Sequence, residues 1–146
     1  MDSNFAFEVA ETAQALRRDF DRRAAELGVT RAQWRVLSWL SRADGQRQVA
    51  LAEALDVEPI TLCRMIDRLA EAGLVERRAD GTDRRAWRIH LTDRAAPIIA
   101  RLRSVADLFL ADALENIPET EQARVRDLLK QVRENLARGG AARRRA

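Results

Sequence analysis

Arginine supplies most of the chemistry open to this chain. Of its 26 lysines and arginines only Lys130 is a lysine. Almost every positive charge is therefore a planar guanidinium, suited to paired hydrogen bonds with a phosphate or with the edge of a guanine. Four of these arginines fall in two places. Arg64 and Arg68 stand one helical turn apart, and Arg84 and Arg85 are adjacent within the turn-rich run Asp80-Gly-Thr-Asp-Arg-Arg85. Cys63 and His90 are the only residues of their types. One cysteine forms no disulfide within the chain, and the two together make neither a metal site nor a catalytic pair. No nucleophile beside a base, no paired carboxylates and no phosphate loop stand out, so no catalytic residue, metal or cofactor is expected.

The elements that must position those arginines lie between Val49 and Leu91. Val49, Leu51, Ala52, Leu55 and Val57 outline a short helix with a narrow apolar face. After Glu58-Pro59 a second helix shows Leu62, Met65, Ile66 and Leu69 at intervals of three and four, the spacing of one buried stripe. Proline suits the first turn of a helix and glycine the residue just past its end, so this helix should run from about Pro59 to Ala72 and close at Gly73. Two alternating segments follow, Leu74 to Ala79 and Ala86 to Leu91, and the arginine-rich tip joins them as a hairpin. Helix, turn, helix and hairpin in that order predict a winged helix-turn-helix. A recognition helix of that size fits the DNA major groove, and arginines on a hairpin tip suit the negative minor groove.

Pro59, Thr61, Leu62, Arg64 and Arg68 on the second helix, with Asp83, Arg84 and Arg85 on the tip, are therefore the expected DNA contacts. Arg68 lies a turn further along, where phosphate contact is favoured over base readout. The alternative for Arg64 and Arg68 is a solvated face with intrahelical pairs to Asp67 or Glu71. Asp83 is expected to accept hydrogen bonds from Arg85 or from the loop backbone and so hold the guanidinium in place. Trp87 and Arg88 point to opposite faces of one strand, and Trp87 is assigned to packing. Cys63 lies beside Arg64 in the first turns of its helix, next to a cation and a helix N-terminus as a reactive thiol requires, so redox sensing is an alternative role there. His90 reads as structural.

The 146 residues suit one domain with extensions, 47% hydrophobic content suits a folded core, and a net charge of +3 says less than the placement of the arginines. No run of ~18 apolar residues is present, and the start Met1-Asp-Ser-Asn lacks the basic and apolar parts of a signal peptide, so a cytoplasmic location is expected. Around the winged core, residues 1–28 read as an amphipathic helix with Phe5, Val9, Ala13, Leu16 and Phe20 on one face. Thr30 caps the next helix, where Trp34, Val36, Leu37 and Leu40 are the buried set and Trp39 lies off it. Residues 41–48 read as a loop. Thr92 is expected to cap a long helix from Asp93 to about Glu115, with Pro97 just beyond its first turn and bending its start. A last helix covers residues 119–137. The divisions are residues 1–28, 29–92 for the DNA-binding part, 93–138, and a disordered basic tail at 139–146 that begins at Gly139-Gly140.

Leu74-Val-Glu-Arg77, Asp83-Arg-Arg-Ala86 and Leu91-Thr92 resemble the MarR transcriptional regulators, and Asp83 to Thr92 is most similar to the SlyA branch. With Leu27 to Leu40 and the flanking helices the resemblance spans nearly the whole chain. It departs at Cys63, where the family more often has a small hydroxyl or an aliphatic residue. Peroxide-sensing members place their cysteine near the N-terminus, where this chain has none. The resemblance implies a mainly α fold, with the N- and C-terminal helices making a homodimer that binds double-stranded DNA at a palindromic operator, most often as a repressor. Two recognition helices about a two-fold axis require half-sites ~34 Å apart. It also implies an aromatic carboxylate effector, for which Arg17 or Arg18 with Phe20, Trp34 and Trp39 would supply a cation and apolar walls. The same residues read equally well as core and surface ion pairs. An architectural or antisilencing DNA binder without an effector is the alternative.

Overall fold

The computed structural model describes residues 4–144, with side chains through residue 140. In chain order these form α1 (Asn4–Glu26), α2 (Arg31–Arg42), β1 (Gln46–Arg47), α3 (Gln48–Leu55), α4 (Pro59–Glu71), β2 (Val75–Ala79), β3 (Trp87–Leu91), α5 (Ala95–Ala113) and α6 (Glu119–Arg144). The strands make one antiparallel sheet in the order β1-β3-β2. The chain divides into two compact units, residues 1–109 and 110–146.

The first unit holds the core. Leu37 and Leu40 of α2, Leu51 of α3, Leu62, Ile66 and Leu69 of α4 and Ile89 of β3 are buried together. Each comes from the apolar stripe of its own element, so burying one stripe requires the others to be in place. The boundaries follow from local chemistry. Thr30 accepts from the Gln33 amide while the Gln33 side chain accepts from the Thr30 amide, a reciprocal cap that starts α2. Gly73, at a φ of +74°, turns the chain out of α4 so that the Leu74 amide reaches back to the Leu69 carbonyl at 2.9 Å. β2 and β3 then pair from Val75 opposite Leu91 to Ala79 opposite Trp87.

Several expectations change. Residues 41–48 are not all loop, because Gln46 and Arg47 pair with Ile89 and Arg88 on the free edge of β3. Two residues are too short for an alternation signal, and only the neighbouring strand makes them a strand. Val49 is exposed where a packed face was expected. Thr92 does not cap α5. Its hydroxyl donates instead to the Gly73 carbonyl at 2.5 Å, tying the end of β3 to the exit of α4. α5 begins at Ala95, so Pro97 sits within the first turn, where its missing amide has no helical partner to lose.

In the second unit α6 runs past Gly139 and Gly140 to Arg144, so the helix does not stop at the glycine pair as expected. Arg145 and Ala146 of the expected tail lie outside the described residues. Val125, Leu128, Leu129 and Leu136 of α6 are exposed, as are Phe5, Phe7, Val9 and Leu16 of α1. No helix of the described residues is long and apolar enough to cross a membrane.

Candidate nucleic-acid interface

α4 presents two faces of opposite character. Leu62, Ile66 and Leu69 are buried, while Pro59, Thr61, Arg64 and Arg68 are exposed. Leu62 is fully enclosed by the core and so does not meet DNA as expected; its place in the apolar stripe decides that. At 13 residues α4 is ~20 Å long. Pro59 occupies its first turn, and Glu58 before it makes no side-chain cap, so the α4 amides that lack a helical partner are not met by that side chain.

The guanidinium groups of Arg64 and Arg68 make no hydrogen bond or ion pair among the described residues. Of the two intrahelical partners considered for them, Asp67 pairs instead with Arg77 of β2 at 2.7 Å, and Glu71 pairs with neither arginine. Arg77 also donates from Nε to the Gln48 side chain at 3.1 Å and from Nη2 to the Cys63 carbonyl at 3.3 Å. One guanidinium thus links β2, α3 and α4. Cys63 is half-buried with its sulfur 3.8 Å from Arg77 Nη2.

The wing is built on an aspartate that sequence reasoning missed. Asp80 is 4% exposed, the one buried charged side chain among the described residues. Its Oδ1 accepts from the Thr82 amide at 2.9 Å, the Thr82 hydroxyl at 2.7 Å and the Asp83 amide at 3.3 Å. Its Oδ2 accepts from Arg47 Nε at 2.9 Å and Arg88 Nε at 2.8 Å. The Thr82 amide and hydroxyl, and then Arg47, outweigh desolvation and hold the carboxyl far below the usual aspartate range. β1, β3 and the tip are therefore tied at one carboxylate. A signal was present in Asp80-Gly-Thr82, since an aspartate two residues before an amide favours this turn.

Asp83 accepts from the Arg85 backbone amide at 2.9 Å. It therefore shapes the loop and does not clamp the guanidinium, which settles the two options left open for it. Arg84 and Arg85 are exposed, and their guanidinium groups make no hydrogen bond or ion pair among the described residues.

Between the wing and the helices lies a groove of 480 Å³ lined by Gln48 and Val49 of α3, Pro59 of α4, and Arg47, Arg85 and Trp87. Trp87 is 49% exposed, against its assignment to packing. The inward position on β3 is Ile89, two residues further from the tip, and the hairpin extends beyond the core at Trp87.

The residues expected to hold an effector do not converge. Phe20 is buried, in edge contact with Trp34 and Phe109 at 4.7 and 5.6 Å between ring centres. It lines a cavity of 190 Å³ with Ser38, Arg42, Ile99, Leu102 and Arg103. Arg17 and Arg18 line a different cavity. Trp34 donates from its indole nitrogen to Asp21 at 2.7 Å, and Trp39 is half-buried against the core. Neither tryptophan lines either cavity. His90 lies 3.8 Å from Asp44. Among the described residues no cluster of three or more His, Cys, Asp or Glu is placed to hold a metal ion.

The sequence pattern of the MarR family matches residues 27–86. Solved structures resemble the chain along most of its length. The transcriptional regulator PA3341 shares 39% identity over 92% of this chain and 98% of its own, with a TM-score of 0.84. Wild-type apo MarR from E. coli shares 28% over 90% and 98%, at 0.78. The transcriptional regulator SlyA shares 26% over 93% and 96%, at 0.79.

Proposed function

The chain belongs to the MarR family of transcriptional regulators, which bind DNA and act as dimers, and from that premise we propose that it represses transcription as a homodimer on an inverted-repeat promoter site. One observation carries this reading. The exposed face of α4, with Thr61, Arg64 and Arg68, and the wing tip, with Arg84 and Arg85, offer guanidinium groups that have no partner among the described residues. Across the groove between them, the exposed ring of Trp87 suits the apolar edge of a deoxyribose. α4 reads the major groove and the wing arginines enter the flanking minor groove. The exposed apolar residues of α1 and α6 supply the dimer contacts, which set two α4 helices one DNA turn apart. The protein works in the cytoplasm, beside the DNA it reads. Its action is binding, and no catalytic step is assigned to it.

The test is fluorescence anisotropy with the upstream intergenic DNA of its own gene, against a scrambled competitor at ~150 mM salt. Specific nanomolar binding is expected. Equal, weak binding to both sequences would replace the regulator by an architectural DNA binder.

Release by a small aromatic acid is part of the same reading. Its support is the Phe20 cavity, which has apolar walls and two guanidinium groups, Arg42 and Arg103. A panel of aromatic carboxylates should raise the Tm and release DNA. A panel that does neither favours the architectural role without an effector.

A further inference from the structure

A second basic cluster shares no residue with the groove under the wing. Arg17 and Arg18 of α1, Arg31 and Arg35 of α2, and Leu55 and Asp56 at the exit of α3 line a cavity of 490 Å³. Arg31 and Arg35 stand four residues apart on one face of α2. Two of the four guanidiniums are held by the fold. Arg35 donates to the Leu55 carbonyl, one of the acceptors left open where α3 ends. Arg31 donates to Asp21 Oδ2 at 2.6 Å, and the other oxygen of Asp21 is taken by Trp34. The guanidiniums of Arg17 and Arg18 make no hydrogen bond or ion pair among the described residues. Arg17 lies close enough to Asp21 that, against desolvation, its charge joins the Arg31 and Trp34 hydrogen bonds in holding that carboxyl below the usual range.

The charges do not balance. Four guanidiniums face Asp56 in the lining and Asp21 beside it, so two positive charges are left over. Like charges gathered in a concave site raise each other's energy, and a bound anion removes that cost. The lining also selects among anions. Leu55 is its one large apolar side chain and no aromatic ring is present, so a flat aromatic acid finds no wall to pack on. Guanidinium forks match phosphoryl oxygens, and forks on separate helices match more than one phosphoryl group.

We propose that this cavity binds a compact polyanion carrying two or more phosphoryl groups, held between Arg17 and Arg18 on one side and Arg31 and Arg35 on the other. The site stands whether or not the protein represses transcription. Phosphoryl groups reach a protein either on a small molecule or along a DNA backbone. A concave site on which arginines of two helices converge commits the proposal to the small molecule, and the DNA arm of the test decides against it.

The experiment is calorimetric titration of the full-length, DNA-free protein with inorganic tripolyphosphate at constant ionic strength, with orthophosphate and salicylate in parallel. Saturable binding of one tripolyphosphate per chain is expected, with orthophosphate and salicylate weaker by about tenfold or more. Arg17→Ala and Arg18→Ala, both at exposed positions, should each weaken tripolyphosphate by about tenfold, whereas Arg101→Ala on the exposed face of α5 should leave it unchanged. Arg35→Lys keeps the charge, loses the fork and should also weaken it. Heats that do not saturate, or an equal loss in Arg101→Ala, overturn the site as non-specific attraction. A weaker DNA complex of Arg17→Ala and Arg18→Ala with no tripolyphosphate present would instead assign the cluster to the DNA backbone and overturn the small-molecule reading.

Discussion

Asp80 holds the Arg47 and Arg88 guanidiniums within 3 Å of one oxygen, an arrangement that only a charged carboxylate supports. Its lowered pKa makes the wing sensitive to acid. A depressed carboxylate adds stability above its unfolded pKa, near ~3.9, and loses that stability as pH falls toward the folded value. Asp80→Asn should therefore lower stability and weaken DNA binding at pH 7. The stability gap to wild type in urea titrations should close below about pH 4, and a gap that stays constant to pH 2.5 would show the charge to be irrelevant. At the tip, Arg85→Ala should weaken operator binding by about 1–3 kcal/mol, the scale of a good groove contact. Unchanged gel-shift affinity would remove Arg85 from the interface. Both arginines at the tip were legible from residue type and turn context. The partners of Arg47 and Arg88 were not, because 33 and 8 residues separate them from Asp80 and the sheet alone closes that distance.

At the scale of elements the wing is held by more than its hairpin. β1 reaches β3 through a turn at Gly45, whose φ is +70° and where an added Cβ would lie 2.8 Å from His90 Cε1. Gly28 has nearly the same φ and open space around it. Alanine at Gly28 should cost about 1–2 kcal/mol for the left-handed backbone alone, and alanine at Gly45 should cost more, as read by urea unfolding. Equal losses would mean that His90 moves aside freely. Trp87 gives the wing its own reporter, since Trp34 and Trp39 are half-buried and Trp87 is exposed. Its emission should be quenched when DNA fills the groove, and Trp87→Phe should abolish the change. A full response in Trp87→Phe would place the signal elsewhere. The second helix of the pair, α4, was readable because one stripe of four apolar residues fixes its orientation. The strand face of Trp87 was not, since alternation gives two faces without saying how far the core extends beneath them.

For the whole molecule, the exposed apolar residues of α1 and α6 are more than a lone folded chain needs to leave in water. Leu136 is 72% and Leu128 52% exposed. Replacing both by aspartate should shift the protein to monomer in sedimentation and weaken operator binding, because half-sites are then bound one at a time. A dimer that survives the pair would move the interface off this helix. The operator complex of the intact dimer should lose ~10³-fold or more in affinity between 50 and 200 mM salt if it makes ~6–10 phosphate contacts. A flat salt dependence would mean that phosphate contributes little.

Apolar periodicity, caps and turn residues act over a few neighbours, and they determined the order and kind of nearly every helix, the hairpin, and the two arginine-bearing surfaces. The tertiary structure decided what depends on neighbours far along the chain. It made Gln46-Arg47 a strand, buried Asp80, gave Asp67 to Arg77 and left Trp87 outside the core. It also separated Arg17 and Arg18 from Phe20 into different cavities. Arg18 is two residues from Phe20, and at 100° per residue their side chains leave the helix on nearly opposite faces. Arg17 is three residues away on a neighbouring face, and only the packing of α2 and α3 against α1 assigns it to the other cavity.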